Sequence, residues 1–175
     1  MAHHYGDFMK KPKYIVVSGG FDPVHIGHVR MFKEASKYGL LLVVLNSDEW
    51  LQRKKGYAFM PFEERAEIIR SFKGVHDVVY VDDKDNTVCE AIQRIKPKYF
   101  ANGGDRTDKN TPEMKLCEKL NIKLLWNVGG EKIQSSSELV FNVEEREAPP
   151  SEQQMVDPFD IFEVHPYDKQ NIKNA

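Results

Sequence analysis

Tyr14-Ile-Val-Val-Ser-Gly-Gly-Phe-Asp-Pro-Val-His-Ile-Gly-His28 is the stretch around which the chain is organised. Tyr14 to Val17 is a short, apolar, β-branched run and reads as a buried strand. Gly19 and Gly20 follow, where the backbone can turn in ways a side chain forbids. Pro23 interrupts the strand pattern and stiffens the turn. From Gly27 the period changes: Val29, Phe32, Ala35 and Ser36 share one face of a helix, and Arg30, Lys33, Glu34 and Lys37 lie largely elsewhere. His25 and His28 stand where the turn becomes the first helical turn. A helix N-terminus offers unpaired N–H groups and the positive end of the dipole, which suits phosphate. Two imidazoles there could donate hydrogen bonds to phosphoryl oxygens.

A His-x-x-His pair also occurs on plain surfaces and as half of a zinc site. Neither Cys89 nor Cys117 lies in a CxxC pair, and no HExxH occurs, so no metal-ligating residues are assigned. The stretch is neither GxGxxG nor GxxxxGK[ST], so the two commonest nucleotide motifs are absent.

Outward from this stretch, strands and helices alternate. Leu40 to Leu45 is a continuous apolar run, as in a strand buried on both faces. With the preceding helix and strand it makes a βαβ unit. Gln52-Arg-Lys-Lys-Gly56 reads as a polar basic loop, ordinarily a solvated surface. Phe59 to Arg65 begins a helix with Pro61 in its first turn and Phe62, Ala66, Ile69 and Phe72 on its buried face. Val78 to Val81 is a third strand. Val88, Ala91, Ile92 and Ile95 mark another helix, ended by Pro97. Tyr99 to Asn102 is a fourth strand running into Gly103-Gly-Asp105, a tight turn that at the carboxyl end of a parallel strand would lie at a ligand crevice. Thr111 and Pro112 start a helix as N-cap and N1. Lys123 to Asn127 is a fifth strand. Ser135 and Glu138 have capping-box spacing, and the same hydroxyl-rich run could hold an anion at a helix N-terminus. This alternation implies an α/β fold, a parallel sheet with helices on both faces.

At 175 residues the chain is long enough for one domain with a proper core. Its composition is ordinary, 41% hydrophobic and 30% charged, and the formal net charge of −2 gives no reason to expect nucleic acid or a membrane as partner. Two cysteines 28 positions apart suggest reduced thiols in a cytoplasmic protein. No apolar run approaches the ~18 residues of a membrane span, and residues 1–13, an N-terminal extension, lack the apolar core of a signal peptide. Residues 14–142 form the expected domain. Residues 143–175 are a C-terminal extension: Glu144 to Pro150 reads as linker, and the apolar island Phe159 to Val164 should bury against its own domain or a neighbouring subunit.

The run Gly20-Phe-Asp-Pro-Val-His-Ile-Gly-His28 resembles the G-x-F-D-x-x-H-x-G-H signature of the HxGH nucleotidyltransferases, which include cytidylyltransferases of glycerol-3-phosphate, ethanolamine phosphate and choline phosphate, and heptose-1-phosphate adenylyltransferases. The resemblance extends from Tyr14 to about Asn142. It implies a Rossmann-like, doubly wound, five-stranded sheet of order 3-2-1-4-5 and transfer of a nucleoside monophosphate from CTP or ATP to a phosphorylated sugar or alcohol, with Mg²⁺ accompanying the triphosphate. Asn46-Ser-Asp48 resembles the family's N-S-D. The family's triphosphate lysine matches Lys55 best and Lys54 second, with Arg53 assisting. His25, His28 and Lys55 are then the catalytic set. Gly19, Gly20, Phe21 and Gly27, the G-G-D match of Gly103, Gly104 and Asp105, and the I-S-T-T-like Ser135, Ser136 and Ser137 would bind the nucleotide. Asp22 would bind substrate or orient the turn, and Arg65, matching the family's E-x-R, would support the site or pair with a carboxylate. Members are often homodimers. Val128-Gly-Gly-Glu-Lys132 lacks the R-T-x-G of the lipid-precursor cytidylyltransferases, which favours the heptose-like branch. Two other readings remain: the Phe-Asp-Pro-Val-His wording also resembles adenylyltransferases of NAD and coenzyme A synthesis, and a non-catalytic nucleotide-binding relative would share the fold.

Overall fold

The computed structural model describes residues 12–104 and 111–144, with side chains through Phe141. The chain divides after Phe141 into two compact units. The described elements belong to the first, apart from the last residues of the final helix. The C-terminal island Phe159 to Val164 lies outside the described residues.

Five strands, β1 (Tyr14–Gly19), β2 (Leu40–Leu45), β3 (Val75–Tyr80), β4 (Tyr99–Ala101) and β5 (Lys123–Leu125), form one sheet of order β3-β2-β1-β4-β5. Every pairing is parallel. The strand order and doubly wound fold expected from the sequence are those found. β1 is central because its side chains are apolar on both faces. Ile15 and Val17 join a cluster with Met31, Phe32 and Ala35 of α1 (Ile26–Ala35) and Ala66 and Ile69 of α3 (Phe62–Arg70). Val16, between them, points the other way, into a cluster with Ala91 and Ile92 of α4 (Cys89–Ile95) and Met114 and Cys117 of α5 (Pro112–Lys119). Period-two alternation thus assigns each residue of β1 to one of two cores. Each fully buried Ile or Phe contributes about 1.5–3 kcal/mol through the apolar surface it removes from water. Cys89 and Cys117 are free thiols, and burial pushes Cys117 up to about 11. Among the described residues no helix is long and apolar enough to cross a membrane.

Several boundaries differ from the sequence expectation. The basic segment Gln52 to Gly56 is not a loop: it is the end of a helix, α2 (Asp48–Lys55), with Gly56 as its left-handed cap at φ 83°. Leu51 is its buried anchor, so apolar periodicity could not reveal it. Its stability comes from its ends. Ser47 accepts from the Trp50 N–H at 3.0 Å, Asp48 and Glu49 open it, and Arg53, Lys54 and Lys55 close it, each matched to the dipole. Pro61 is the N-cap of α3 rather than a residue of its first turn. Its buried face is Arg65, Ala66 and Ile69, while Phe62 and Phe72 pack half-buried against the core. β3 starts three residues earlier than expected, and β5 ends at Leu125 instead of Asn127. The last helix is α6 (Ser136–Glu144).

Candidate functional site

A cavity of about 360 Å³ opens at the carboxyl ends of β1 and β4, where the crevice of a doubly wound sheet is expected. The turn after β1 gives it Gly19, Gly20 and Phe21, and α1 gives it His25, Gly27 and His28. Trp50, Lys54 and Lys55 of α2 form a second wall. Gly103 and Gly104 after β4 form a third, and the segment from Val128 through Ser135, Ser136 and Ser137 at the start of α6 closes the fourth.

The histidines are held by each other. His25 is the N-cap of α1, and its Nδ1 accepts from the Gly27 N–H at 3.1 Å. His28 Nδ1 accepts from the His25 N–H at 3.2 Å. The rings stack with centroids 3.7 Å apart, and Phe21 meets His28 edge-on at 4.8 Å. Because each Nδ1 accepts a backbone hydrogen bond, the proton of each neutral ring sits on Nε2, the nitrogen farther from the backbone. Burial first, then the positive charge of Lys132, hold the His25 imidazole below its ordinary range; Glu138 opposes this and Lys55 adds to it.

Lys55 Nζ donates to the Asp22 carbonyl at 3.2 Å. Burial lowers its affinity for a proton, with Asp22 acting in the opposite sense. Asp22 is itself buried, and its carboxylate accepts from the Phe59 N–H at 2.7 Å and the Met60 N–H at 2.8 Å. Arg65 is fully buried beneath the same wall. It donates to the carbonyls of Met60 at 3.0 Å, Gly20 at 2.6 Å and Asn46 at 3.1 Å, and it pairs with Asp48. Asp83, also buried, accepts from Asn46 Nδ2 at 3.0 Å, the Ser47 N–H at 2.9 Å and Ser47 Oγ at 2.7 Å. Arg65 and Asp83 fix the start of α2, and so the direction in which its lysines leave the helix, while Asp22 holds the segment that follows it.

At α6 a capping box forms: Glu138 N–H donates to Ser135 Oγ, and Ser135 N–H to Glu138 Oε2, both at 3.2 Å. Ser136 Oγ donates to the Pro23 carbonyl at 2.9 Å and ties this tip to the histidine turn. A Cβ on Gly104 would stand 2.2 Å from the Gly130 carbonyl oxygen, so the third and fourth walls approach each other there as only glycine allows.

The sequence profile of the Cytidylyltransferase-like family matches residues 16–127, which run from within β1 through β5 and include the histidine turn. The chain belongs to the cytidylyltransferase-like family. Among curated relatives it is 36% identical over 94 residues to the FAD synthase of Ferroglobus placidus, covering 54% of this chain and 60% of that protein. It is 32% identical over 114 residues to the bifunctional protein HldE of Aliarcobacter butzleri, covering 63% of this chain and 23% of HldE. The chain therefore spans about three fifths of that FAD synthase and less than a quarter of HldE. In fold it resembles the lipopolysaccharide core biosynthesis protein of Thermoplasma volcanium, with a TM-score of 0.57 and 23% identity over 66% of this chain and 95% of that one.

Within this family fold, the cavity brings together the three proposed catalytic residues, His25, His28 and Lys55, with Gly19, Gly20, Phe21, Gly27, Gly103, Gly104 and the three serines. Asp105 lies outside the described residues. Of the two roles expected for each, Arg65 takes the pairing with a carboxylate, that of Asp48, and Asp22 stands away from the cavity where substrate contact would be made. Neither lines the cavity, because both side chains are buried and their polar atoms are engaged by backbone groups beneath it. They hold the wall and do not face the ligand. Sequence reasoning missed Trp50, which lines the cavity, and Asp83, which orients α2. Trp50 could have been found by recognising Ser47 and Gly56 as helix caps; nothing local in sequence marks Asp83.

Proposed function

We propose that this chain transfers a nucleotidyl group from a nucleoside triphosphate, taken as its Mg²⁺ complex, to a phosphate monoester, and that it releases pyrophosphate. The observation that carries this is the meeting of two helix N-termini and Lys55 on one cavity of triphosphate scale. An oxygen of the acceptor's phosphate forms a bond to the α-phosphorus, and the bond from that phosphorus to the bridging oxygen of pyrophosphate breaks. A phosphate monoester is largely dianionic near neutral pH, with its second pKa about 6, so no general base is required. What the reaction needs is alignment and neutralisation of the charge that builds on the α-phosphate. The Nε2–H groups of His25 and His28 and the ammonium of Lys55 would donate to that charge. The N–H groups and hydroxyls at the tip of α6 suit the departing pyrophosphate.

Among the described residues no three His, Cys, Asp or Glu side chains gather to hold a metal ion. A Mg²⁺ that arrives on the triphosphate, coordinated by phosphate oxygens and water, suits that donor set. The likeness to FAD synthases, whose product is an adenylyl ester of FMN, favours ATP over CTP. It also supports trying FMN beside sugar and alcohol phosphates as an acceptor. The test is pyrophosphate release with ATP or CTP and Mg²⁺ against a panel of FMN, sugar 1-phosphates and glycerol 3-phosphate. Release that requires both a triphosphate and one of these acceptors supports transfer. Triphosphate binding without release under any combination overturns it.

A further inference from the structure

We propose that Trp50 is the platform on which the acceptor's ring system stacks, so that this site takes a phosphate monoester with a flat aromatic body. The inference rests on the transfer reaction proposed above and names its second substrate class.

The placement comes from the sheet. β2 lies on one side of β1, and β4 and β5 on the other. The walls built from Gly103, Gly104 and the start of α6 therefore stand across the histidine turn from α2. A displacement at phosphorus needs its incoming and leaving oxygens roughly in line. With the leaving group at the tip of α6, the acceptor enters from the side of α2. The residues that α2 presents to the cavity are Trp50, Lys54 and Lys55, an indole and two ammonium groups. That set matches a ring joined to a phosphate better than it matches a polyol, which would require several neutral hydrogen-bonding groups.

Trp50 is a fixed surface. Its backbone N–H is held by Ser47 Oγ at 3.0 Å, and its benzo edge packs beside Gly20, where an added Cβ would lie 3.6 Å from Cζ3. Lys54 Nζ stands 4.4 Å from the centre of the indole. A cation over a half-exposed ring is a weak contact, and a charge-assisted hydrogen bond to phosphate is stronger. A ligand carrying both groups can take the ammonium with its phosphate and the indole face with its ring. Aromatic stacking of this kind is worth roughly ten- to a hundredfold in affinity.

The chain holds two tryptophans, Trp50 and Trp126, and Trp126 is half-buried, packed against the core on the α4–α5 side. In full-length protein carrying Trp126→Phe, the emission of Trp50 reports on its own face. FMN is expected to quench it, and riboflavin, which has the ring without the phosphate, to quench it more weakly. In turnover assays Trp50→Ala is expected to raise the KM for FMN about tenfold or more and Trp50→Phe by two- to threefold, with the KM for ATP within about twofold of wild type. An unchanged KM for FMN in Trp50→Ala overturns the assignment. So does a raised KM for ATP in its place, because the indole would then carry the nucleotide's base. Turnover confined to sugar phosphates with no quenching by FMN overturns it as well. FMN quenching with no pyrophosphate from any acceptor leaves the stacking platform standing and removes the transfer reaction, so the two failures are told apart.

Discussion

The helix tips of α1 and α6 both end in the cavity and both close with a reciprocal cap, yet the caps are built from different chemistry. At α6, Ser135 and Glu138 exchange hydrogen bonds, and the carboxylate lies against the positive end of the dipole. That stabilises the free helix and opposes an incoming anion. At α1 the same two-way cap is made by His25 and His28, and no acid stands in the first turn. Its dipole stays uncompensated. Two stacked rings, each with its proton directed away from the backbone, take the place a carboxylate would fill. The α1 tip is thus left open to negative charge, whereas the α6 tip already has a carboxylate against it. They are also linked, through Ser136 to the Pro23 carbonyl and through the pull of Glu138 on the His25 imidazole.

The largest effect should come from breaking the α1 tip. His28→Ala removes one preorganised donor and is expected to lower kcat by about 10²–10³-fold. The thermal transition should remain, and the KM for the triphosphate should change much less. Single-turnover rates against far-UV melting check this; a variant that is folded and keeps its kcat would sink the role of the α1 tip. Next in size is Lys55→Ala. A hydrogen bond to a charged group is worth about 1.5–3 kcal/mol, so kcat/KM should fall by about ten- to a hundredfold. If Lys55 contacts the triphosphate, most of the loss appears in triphosphate binding, which calorimetry separates from turnover.

The part of this comparison visible in the sequence was the part that local chemistry encodes. The run Tyr14 to Val17 read as a buried strand and Leu40 to Leu45 as one buried on both faces, and the run from Gly20 to His28 carried its family resemblance in contiguous residues. The α6 cap was legible because Ser135 and Glu138 lie three apart. α2 was not, because its single apolar anchor, Leu51, gives no period and its helix is specified by its ends. Arg65 and Asp22 were each left with two roles for a related reason. A charged side chain in sequence looks available, and only the fold shows that Arg65 sits against Gly20, Asn46 and Met60 carbonyls brought together from three segments.

A smaller effect sharpens the comparison from the α6 side. Ser135→Ala removes the side-chain half of the cap, which typically costs about 1 kcal/mol. For a domain of this size that lowers the thermal midpoint by roughly 3–5 °C. The Glu138 carboxylate then loses its capping partner while its charge remains, so kcat should change less than in His28→Ala. A melting scan beside the same turnover assay compares the two tips directly. Equal losses of kcat in the two variants would mean that the tips do not divide the work.

The smallest signal concerns protons at His25. Its imidazole is held below the ordinary value of 6.5, chiefly by burial and then by Lys132. In the free protein the folded state therefore favours the neutral ring. That share of stability is fully present above pH 6.5 and is lost as pH falls through the lowered value in the folded state, since the unfolded chain binds the proton more readily there. A triphosphate reverses the local field by setting anionic oxygens beside the ring, so the bound state should favour the protonated form. Binding near pH 6 is then accompanied by net uptake of a fraction of a proton by the protein, after allowance for the triphosphate's own titration. Calorimetry in two buffers of different ionisation enthalpy measures it, and His25→Asn should lose it. Identical uptake by wild type and His25→Asn would place the titrating group elsewhere and leave His25 as a neutral donor throughout.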